Sequence, residues 1–213
     1  MKTILVFGDS LTWGFMPSGA GRYPFEKRWP NIMQAQLGAG VRVIEEALNG
    51  RTTVRDSPYA ANRSGKEMLP PLLEAHSPLD LVIVMLGTND LQVHQQATAA
   101  MAARGCGALI DIVLKSNSAP GGKSAPPVLL VAPPPFNQPS GMMDLMFGDS
   151  VPESRKFGGA YRAVADFFRC HFFDAGSVIS SSPVDGIHLD EAETRALGIA
   201  IAEVARRILD ETA

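Results

Sequence analysis

The segment Leu79–Leu86 constrains the fold of this chain most strongly. Its sequence, LDLVIVML, is apolar at every position except Asp80. A strand with one face in water alternates apolar and polar residues, whereas a strand covered on both faces is apolar nearly throughout. The segment therefore predicts a buried strand inside a parallel sheet that has helices on both sides.

Strand-like and helix-like segments alternate along the rest of the chain. Other short runs rich in branched and aromatic residues predict strands at Lys2–Phe7, Arg42–Ala47, Pro127–Ala132 and Cys170–Asp174. Apolar residues three or four positions apart predict helices at Arg28–Leu37, Gly65–Ala75, Thr98–Leu114, Ser154–Arg169 and Asp190–Leu209. Such alternation is typical of an α/β fold. We expect one domain over residues 1–213, a three-layer α/β/α sandwich around a five-stranded parallel sheet.

The composition fits a single globular domain and disfavours several other classes of protein. The chain is 46% hydrophobic and 19% charged, which is too apolar for a disordered protein. Its formal net charge of −3 leaves no basic excess for binding nucleic acid. No apolar run approaches the roughly 20 residues of a membrane span, and Ile4–Phe7 is too short for the core of a signal peptide. We therefore expect a cytoplasmic protein with no nucleic-acid or membrane partner.

Two connecting segments are predicted to be loops. Ser116–Pro127 is polar and rich in Gly and Pro, which predicts a surface excursion. Pro133–Pro152 is also predicted as a loop, and it carries an apolar patch formed by Met142, Met143, Leu145, Met146 and Phe147. Because exposed apolar patches usually mark contacts, this patch is expected either to cover a substrate pocket or to lie in a subunit interface.

Small and polar residues follow the predicted strands, where parallel α/β folds build their sites. The first strand is followed by Gly8-Asp9-Ser10-Leu11 and the second by Asn49-Gly50. The third is followed by Gly87-Thr88-Asn89-Asp90, and Asp185-Gly186-Ile187-His188 lies beyond the fifth. We expect these four segments to meet at one edge of the sheet.

Ser10, Asp185 and His188 are the residue types that carry out nucleophilic acyl transfer. A serine hydroxyl needs a base within hydrogen-bond reach, and histidine, with an ordinary pKa near ~6.5, suits reversible proton transfer. The second imidazole nitrogen needs an acceptor that fixes its tautomer, and Asp185 lies three residues before His188. Taken singly, each residue could also serve a turn, a cap or the core.

The four segments together resemble the SGNH hydrolases, also called GDSL esterases. Gly8–Leu11 matches the first block of that family, Gly50 the second, Gly87–Asp90 the third and Asp185–His188 the last. The resemblance spans nearly the whole chain and implies a flavodoxin-like fold with Ser10, Asp185 and His188 as the catalytic residues.

The resemblance also implies an oxyanion hole. Acyl transfer builds negative charge on the carbonyl oxygen, which must face preorganised donors. These donors are assigned to the backbone N–H groups of Ser10 and Gly50 and to the side-chain amide of Asn89. The chain departs from the usual family pattern at Asn49, where Ser is frequent, and at Leu189, where Pro is frequent.

More narrowly, FGDSLTWG and DLVIVMLGTND look like the bacterial arylesterase/acyltransferase and carbohydrate acetylesterase branch. This resemblance implies hydrolysis of short-chain, mainly acetyl, esters of aryl, alkyl or carbohydrate alcohols, with acyl transfer to other alcohols as a secondary activity. It also implies a homo-oligomer, often an octamer, and no metal or organic cofactor. Asp9 and Trp13 are expected to contact the substrate, although Trp13 and Phe15 could equally be core aromatics.

Two other functions remain open on the sequence. One is a thioesterase or lysophospholipase with the same catalytic residues and a preference for long acyl chains. The other is a non-catalytic carbohydrate-binding module that keeps the fold. A nucleotide site is disfavoured because the first turn lacks the glycine patterns that cradle phosphates.

Three further segments carry structural expectations. Asp90 is expected to brace its loop rather than to take part in chemistry. The Gly105-Cys106-Gly107 segment predicts a close helix contact. The charged residues Arg51, Arg55 and Asp56 predict a solvated loop.

Overall fold

The protein has the α/β architecture predicted from its sequence. In the computed structural model, which describes residues 1–17, 19, 21–122 and 124–211, five parallel strands form one sheet in the order β2-β1-β3-β4-β5. The strands are β1 (Lys2–Gly8), β2 (Val41–Ala47), β3 (Leu81–Met85), β4 (Val128–Ala132) and β5 (His171–Asp174). Each strand begins and ends within two residues of its predicted limits.

The five predicted helices are present, and three short helices accompany them. The helices are α1 (Ser10–Trp13), α2 (Trp29–Leu37), α3 (Gly65–His76), α4 (Ala99–Leu114), α5 (Met142–Phe147), α6 (Val151–Ser154), α7 (Phe157–Phe168) and α8 (Glu191–Glu211). The prediction of a loop throughout Pro133–Pro152 is therefore wrong, because α5 and the start of α6 lie within it. Within the described ranges, none of the helices combines the length and apolar character needed to cross a bilayer.

The sheet separates two apolar layers because successive strand residues point to opposite faces. On β1, Ile4 and Val6 pack in the layer that holds residues of α2 and α8, such as Trp29. Leu5 and Phe7 pack in the opposite layer with residues of α3, α4 and α7. All five residues of β3 are buried, as its continuous apolar sequence predicts for the middle of a three-layer fold.

The Gly105-Cys106-Gly107 segment confirms the prediction of a close helix contact. A Cβ on Gly105 would lie 2.0 Å from Thr53 Oγ1, and one on Gly107 would lie 3.0 Å from a ring carbon of Phe168. Glycine thus lets α4 approach both α7 and the connection that follows β2.

The Met-rich segment belongs to the fold on one side and is exposed on the other. Phe147 of α5 is buried, with its ring centroid 5.4 Å from that of Phe136 in an edge-to-face contact. Met142 and Leu145 leave 64% and 72% of their surface exposed. The helix therefore presents an apolar outer face while its inner face anchors the connection between β4 and α7.

Candidate active site

The connections that follow β1, β2 and β3 are hydrogen-bonded to one another at the carboxyl edge of the sheet. Leu48 N–H, just after β2, donates to Gly8 O at 3.2 Å. Asn89 Nδ2, after β3, donates to Arg51 O at 3.1 Å. These contacts bring the first three polar segments of the sequence into one place.

Ser10 is presented by a sharp turn from β1 into α1. The Asp9 carboxylate caps this short helix by accepting from Leu11 N–H at 3.0 Å. A Cβ at Gly8 would lie 2.1 Å from Thr12 Oγ1, so only glycine permits this close return of the chain. Ser10 is 5% exposed, so its side chain is nearly buried.

Ser10, His188 and Asp185 form a continuous series of hydrogen bonds. His188 Nδ1 lies 2.6 Å from Asp185 Oδ2, and His188 Nε2 lies 3.1 Å from Ser10 Oγ. An ionised carboxylate only accepts, so Nδ1–H donates to Asp185 and leaves Nε2 as the acceptor for the Ser10 hydroxyl proton. This is the tautomer that a general base for serine requires.

The turn that carries Asp185 and His188 is held by the Asp185 carboxylate. Asp185 Oδ1 accepts from the N–H groups of Ile187 and His188, each at 2.9 Å. Burial tends to raise the pKa of Asp185, but the hydrogen bonds from the imidazole and from these N–H groups outweigh it and leave the pKa below its ordinary value. The carboxylate therefore stays ionised beside the imidazole at neutral pH.

The connection after β4 braces this turn from outside. Ser140 N–H donates to Asp185 O at 3.2 Å, and Asn137 N–H donates to Gly186 O at 3.0 Å. Gly186 has a φ of 85°, and a Cβ there would lie 2.4 Å from Gln138 O. Glycine is required at this position both for the backbone conformation and for the close approach.

Backbone N–H groups of Ser10 and Gly50 are available to bind an anion. Within the described part of the chain, neither N–H has a hydrogen-bond acceptor. Gly50 occupies the third position of a turn closed by Arg51 N–H donating to Leu48 O at 3.1 Å, with a φ of 76° that favours glycine. The turn holds the Gly50 N–H group in a fixed orientation without occupying it.

Asn89 supplies a third donor. One N–H of its amide donates to Arg51 O, and Asn89 Oδ1 accepts from Gln92 Nε2 at 2.8 Å. The amide carries two N–H groups, so one remains free for a ligand. Asn89 is 4% exposed, which keeps this donor in a dry environment where hydrogen bonds to charge are strong.

The prediction that Arg51 lies in a solvated loop is wrong, because its side chain is buried. Its guanidinium donates to Gly8 O at 3.0 Å and to Glu46 O at 2.6 Å, and it lies 4.2 Å above the Phe7 ring. Burial lowers its pKa to about 10. A single charged side chain thus ties the end of β1 to the end of β2, while Arg55 and Asp56 are exposed as expected.

Asp9 corrects a second expectation. It was predicted to contact substrate, but it is 1% exposed and its carboxylate faces the protein interior. Burial raises its pKa from 3.8 to about 7. The reason for the difference is that the carboxylate caps α1, where it accepts from Leu11 N–H.

Asp90 braces its loop as predicted. Its carboxylate accepts from the N–H of Thr53 at 3.0 Å and from the Thr53 hydroxyl, which joins the connections after β2 and β3. Burial raises the pKa of Asp90 to about 6. Two buried acids with raised pKa values, Asp9 and Asp90, thus directly precede or follow the candidate donors Ser10 and Asn89 in the sequence.

Phe15, rather than Trp13, contacts the imidazole. The Phe15 and His188 ring centroids are 4.4 Å apart. Trp13 lies one ring further away, 6.3 Å from Phe15, with the Arg22 guanidinium 4.6 Å from its own ring. A substrate contact by Trp13 stays a prediction.

Three residues that contribute to the site were not identified from the sequence. Gln92 contacts Asn89, Ser140 contacts the Asp185 turn, and Arg51 is buried between the ends of β1 and β2. The sequence offered one indication of a role for two of them: Gln92 and Arg51 lie within a few residues of segments that match the family blocks. Within the described ranges, no group of three or more His, Cys, Asp or Glu side chains is arranged to hold a metal ion.

Comparison with known proteins identifies the family of the chain. The family model of the GDSL-like lipase/acylhydrolase family matches residues 6–196. A search of curated proteins found no match.

Solved structures give a closer comparison. Est24, a carbohydrate acetylesterase from Sinorhizobium meliloti, is 42% identical, with a TM-score of 0.92 over 98% of this chain and 100% of that one. The native aryl esterase of M. smegmatis gives the same identity, TM-score and coverage. A member of the lipolytic protein G-D-S-L family from Veillonella parvula, at 15% identity and a TM-score of 0.71 over 97% of this chain and 100% of that one, shares the fold. The chain therefore belongs to the GDSL-like lipase/acylhydrolase family and has the fold of its hydrolases.

Proposed function

We propose that this chain is a serine esterase that hydrolyses short-chain acyl esters, mainly acetyl esters, of aryl, alkyl or carbohydrate alcohols. The observation that carries the proposal is the hydrogen-bonded series from Asp185 through His188 to Ser10, with separations of 2.6 and 3.1 Å. The substrate class is supported by the carbohydrate acetylesterase and the aryl esterase, which are both 42% identical to this chain.

Acylation begins when Ser10 Oγ attacks the ester carbonyl carbon. His188 Nε2 accepts the hydroxyl proton as the new C–O bond forms, and Asp185 stabilises the resulting imidazolium. The tetrahedral intermediate collapses when the alcohol leaves and takes that proton from Nε2. The product of this half-reaction is an acyl group on Ser10.

The developing oxyanion is bound by the N–H groups of Ser10 and Gly50 and by the free N–H of Asn89. One such donor lowers the barrier by roughly 2.7–4 kcal/mol. Deacylation repeats the chemistry in reverse, with water in place of the alcohol and His188 again as the base. No step requires a metal or an organic cofactor.

The near-complete burial of Ser10 and His188 favours small acyl groups. Ser10 and His188 are each 5% exposed, and the Phe15 ring lies 4.4 Å from the imidazole. An apolar ring at this point also disfavours water, so a second alcohol can compete with it for the acyl group. We therefore include acyl transfer as a secondary activity.

The proposal is tested with p-nitrophenyl esters of acetate, octanoate and palmitate. We expect kcat/KM to be highest for acetate and to fall with chain length, because a long acyl chain is harder to accommodate at the nearly buried Ser10 and His188. Ser10→Ala should lose essentially all activity, and a fluorophosphonate probe should label the wild type but not this variant. Ser177→Ala, which changes an exposed serine, is the matched control and should stay active and labelled.

The same experiments distinguish the two alternative functions. A preference for palmitate would identify a thioesterase or lysophospholipase and overturn the substrate assignment. No hydrolysis and no labelling of a folded wild-type protein would identify a binding module and overturn the enzyme assignment.

We also propose that the chain forms a homo-oligomer, an octamer by its resemblance to the branch named above. Support comes from the outer face of α5, where Met142 and Leu145 are largely exposed, and from nearby exposed Val184. Light scattering should report an assembly larger than a monomer. Leu145→Glu should weaken it, and a monodisperse wild-type monomer would contradict the proposal.

A cytoplasmic location is proposed as well. Fractionation of the native host should recover the activity with cytoplasmic markers, and recovery with secreted proteins would contradict this assignment.

A further inference from the structure

Of the three candidate oxyanion donors described above, Asn89 supplies the one that comes from a side chain, and Gln92 contacts it. The backbone donors of Ser10 and Gly50 are fixed by their turns, but the amide of Asn89 can rotate about its side-chain bonds. Its orientation must therefore be fixed by neighbours. Among the residues that the structure describes, two groups hydrogen-bond to this amide: Arg51 O at 3.1 Å and Gln92 Nε2 at 2.8 Å.

The hydrogen-bonding character of these groups determines which way the Asn89 amide faces. A backbone carbonyl only accepts, so Asn89 Nδ2 must face Arg51 O and Asn89 Oδ1 must face Gln92. Gln92 then has to present its own NH2 group. The three residues form a directional series in which Gln92 donates to Asn89, and Asn89 donates to Arg51 O.

These hydrogen bonds also affect the donor strength of the free Asn89 N–H. A donor on an amide oxygen draws electron density from the amide nitrogen, so hydrogen bonds in series strengthen one another. The free Asn89 N–H thus becomes a better donor toward a developing negative charge. Gln92 is 7% exposed and therefore exerts this effect with little competition from water.

We propose that Gln92 is a positioning residue that orients and polarises Asn89 for binding the oxyanion. Gln92 acts only through Asn89 and does not itself touch the reacting atoms. The inference rests on the proposed esterase function, because Asn89 has an oxyanion to bind only if Ser10 is acylated.

The test measures kcat and KM for p-nitrophenyl acetate in Gln92→Met, which keeps the size of the side chain but removes its donor. We expect kcat to fall about tenfold, the value of roughly one net hydrogen bond, with KM nearly unchanged. Gln92→Glu, which places an acceptor against Asn89 Oδ1, should also lose kcat. Gln92→Lys keeps a donor and should stay within about threefold of the wild type.

A double-mutant cycle separates positioning from a general structural role. Asn89→Ala alone should lower kcat by about 10²–10³. In that background, Gln92→Met should cost less than about twofold, because the group it positions is gone. Gln95→Met is the matched control: Gln95 is 6% exposed on the same connection, but its Nε2 donates to Asp56 O and should leave kcat unchanged.

Three results would overturn the inference. The first is wild-type kcat in both Gln92→Met and Gln92→Glu. The second is an equal loss for Gln92→Met with and without Asn89. The third is a wild-type protein without Ser10-dependent hydrolysis, which would also remove the proposed function, whereas the first two leave that function intact.

Discussion

The two halves of the candidate site are built in different ways. Asp185 and His188 lie three residues apart on one turn, and that turn supplies most of their hydrogen bonds. The oxyanion side combines residues from the connections after β1, β2 and β3, which are joined through buried Arg51 and Asp90. The first half is local in sequence, and the second exists only in the folded chain.

This difference predicts how each half responds to change. A substitution in the local half that keeps a side-chain acceptor should affect chemistry while leaving the fold intact, because the turn is also closed by Ser182 N–H donating to His188 O at 2.7 Å. A substitution among the buried charges of the other half should affect stability as well, because those charges were removed from water to join separate strands.

Asp185→Asn should have the largest effect on activity. An amide can donate to His188 Nδ1 and so favour the wrong imidazole tautomer, which costs about 10⁴-fold in kcat for a serine triad. Steady-state kinetics with p-nitrophenyl acetate check this loss. Asp80→Asn is the control, because that carboxylate accepts from Thr3 N–H at the opposite edge of the sheet. Similar losses in the two variants would contradict a specific role for Asp185.

Asn89→Ala should have a smaller effect, about 10²–10³-fold in kcat, because two backbone donors remain. The same assay measures it. Asn31→Ala serves as the control, since Asn31 is also buried but donates to Glu45 at 3.0 Å, away from Ser10. A loss as large as that of Asp185→Asn would mean that the oxyanion side depends on one donor rather than three.

Arg51→Met should reduce stability rather than remove a reacting group. It deletes charge-assisted hydrogen bonds to Gly8 O and Glu46 O, and we expect the free energy of unfolding to fall by about 3 kcal/mol. Urea denaturation measures this change. Arg104→Met, at an exposed arginine, should change it little. Equal stability of both variants would show that the guanidinium does not join the strands energetically.

Asp9→Asn should change how stability depends on pH. Because burial raises the pKa of Asp9 from 3.8 to about 7, the folded chain keeps a proton that the unfolded chain has already lost. This contribution to stability is fully present below about pH 4 and is lost as the pH rises through about 7. Between these pH values, the free energy of unfolding should fall less for Asp9→Asn than for the wild type, whereas exposed Asp149→Asn should follow the wild type. Equal slopes for all three proteins would refute the assigned shift.

The sequence was most informative where contacts are local. The apolar run at β3 indicated the sheet, and the spacing of Asp185 and His188 indicated a shared turn, because strand burial and short-range turns both follow from neighbouring residues. The meeting of Ser10 with His188 was implied by strand order, since the carboxyl ends of parallel strands share one edge of the sheet.

The sequence was least informative about charged side chains near the site. Arg51 and Asp9 carry the composition of a solvated or substrate-facing loop, and nothing in their neighbours indicates that the fold turns them inward. Their burial depends on strand ends that lie more than 30 residues apart. The role of Gln92 could not be predicted for the same reason. Gln92 faces Asn89 Oδ1 because Asn89 Nδ2 is bound to Arg51 O, and that contact forms only in the folded chain.

The central claim is that Ser10, His188 and three donors act on one carbonyl group. A crystal structure of the chain after reaction with diethyl p-nitrophenyl phosphate tests it most directly. We predict phosphorus bonded to Ser10 Oγ, with one phosphoryl oxygen about 2.7–3.1 Å from Ser10 N, Gly50 N and Asn89 Nδ2. Attachment to another residue, or a phosphoryl oxygen turned away from Gly50 and Asn89, would contradict it.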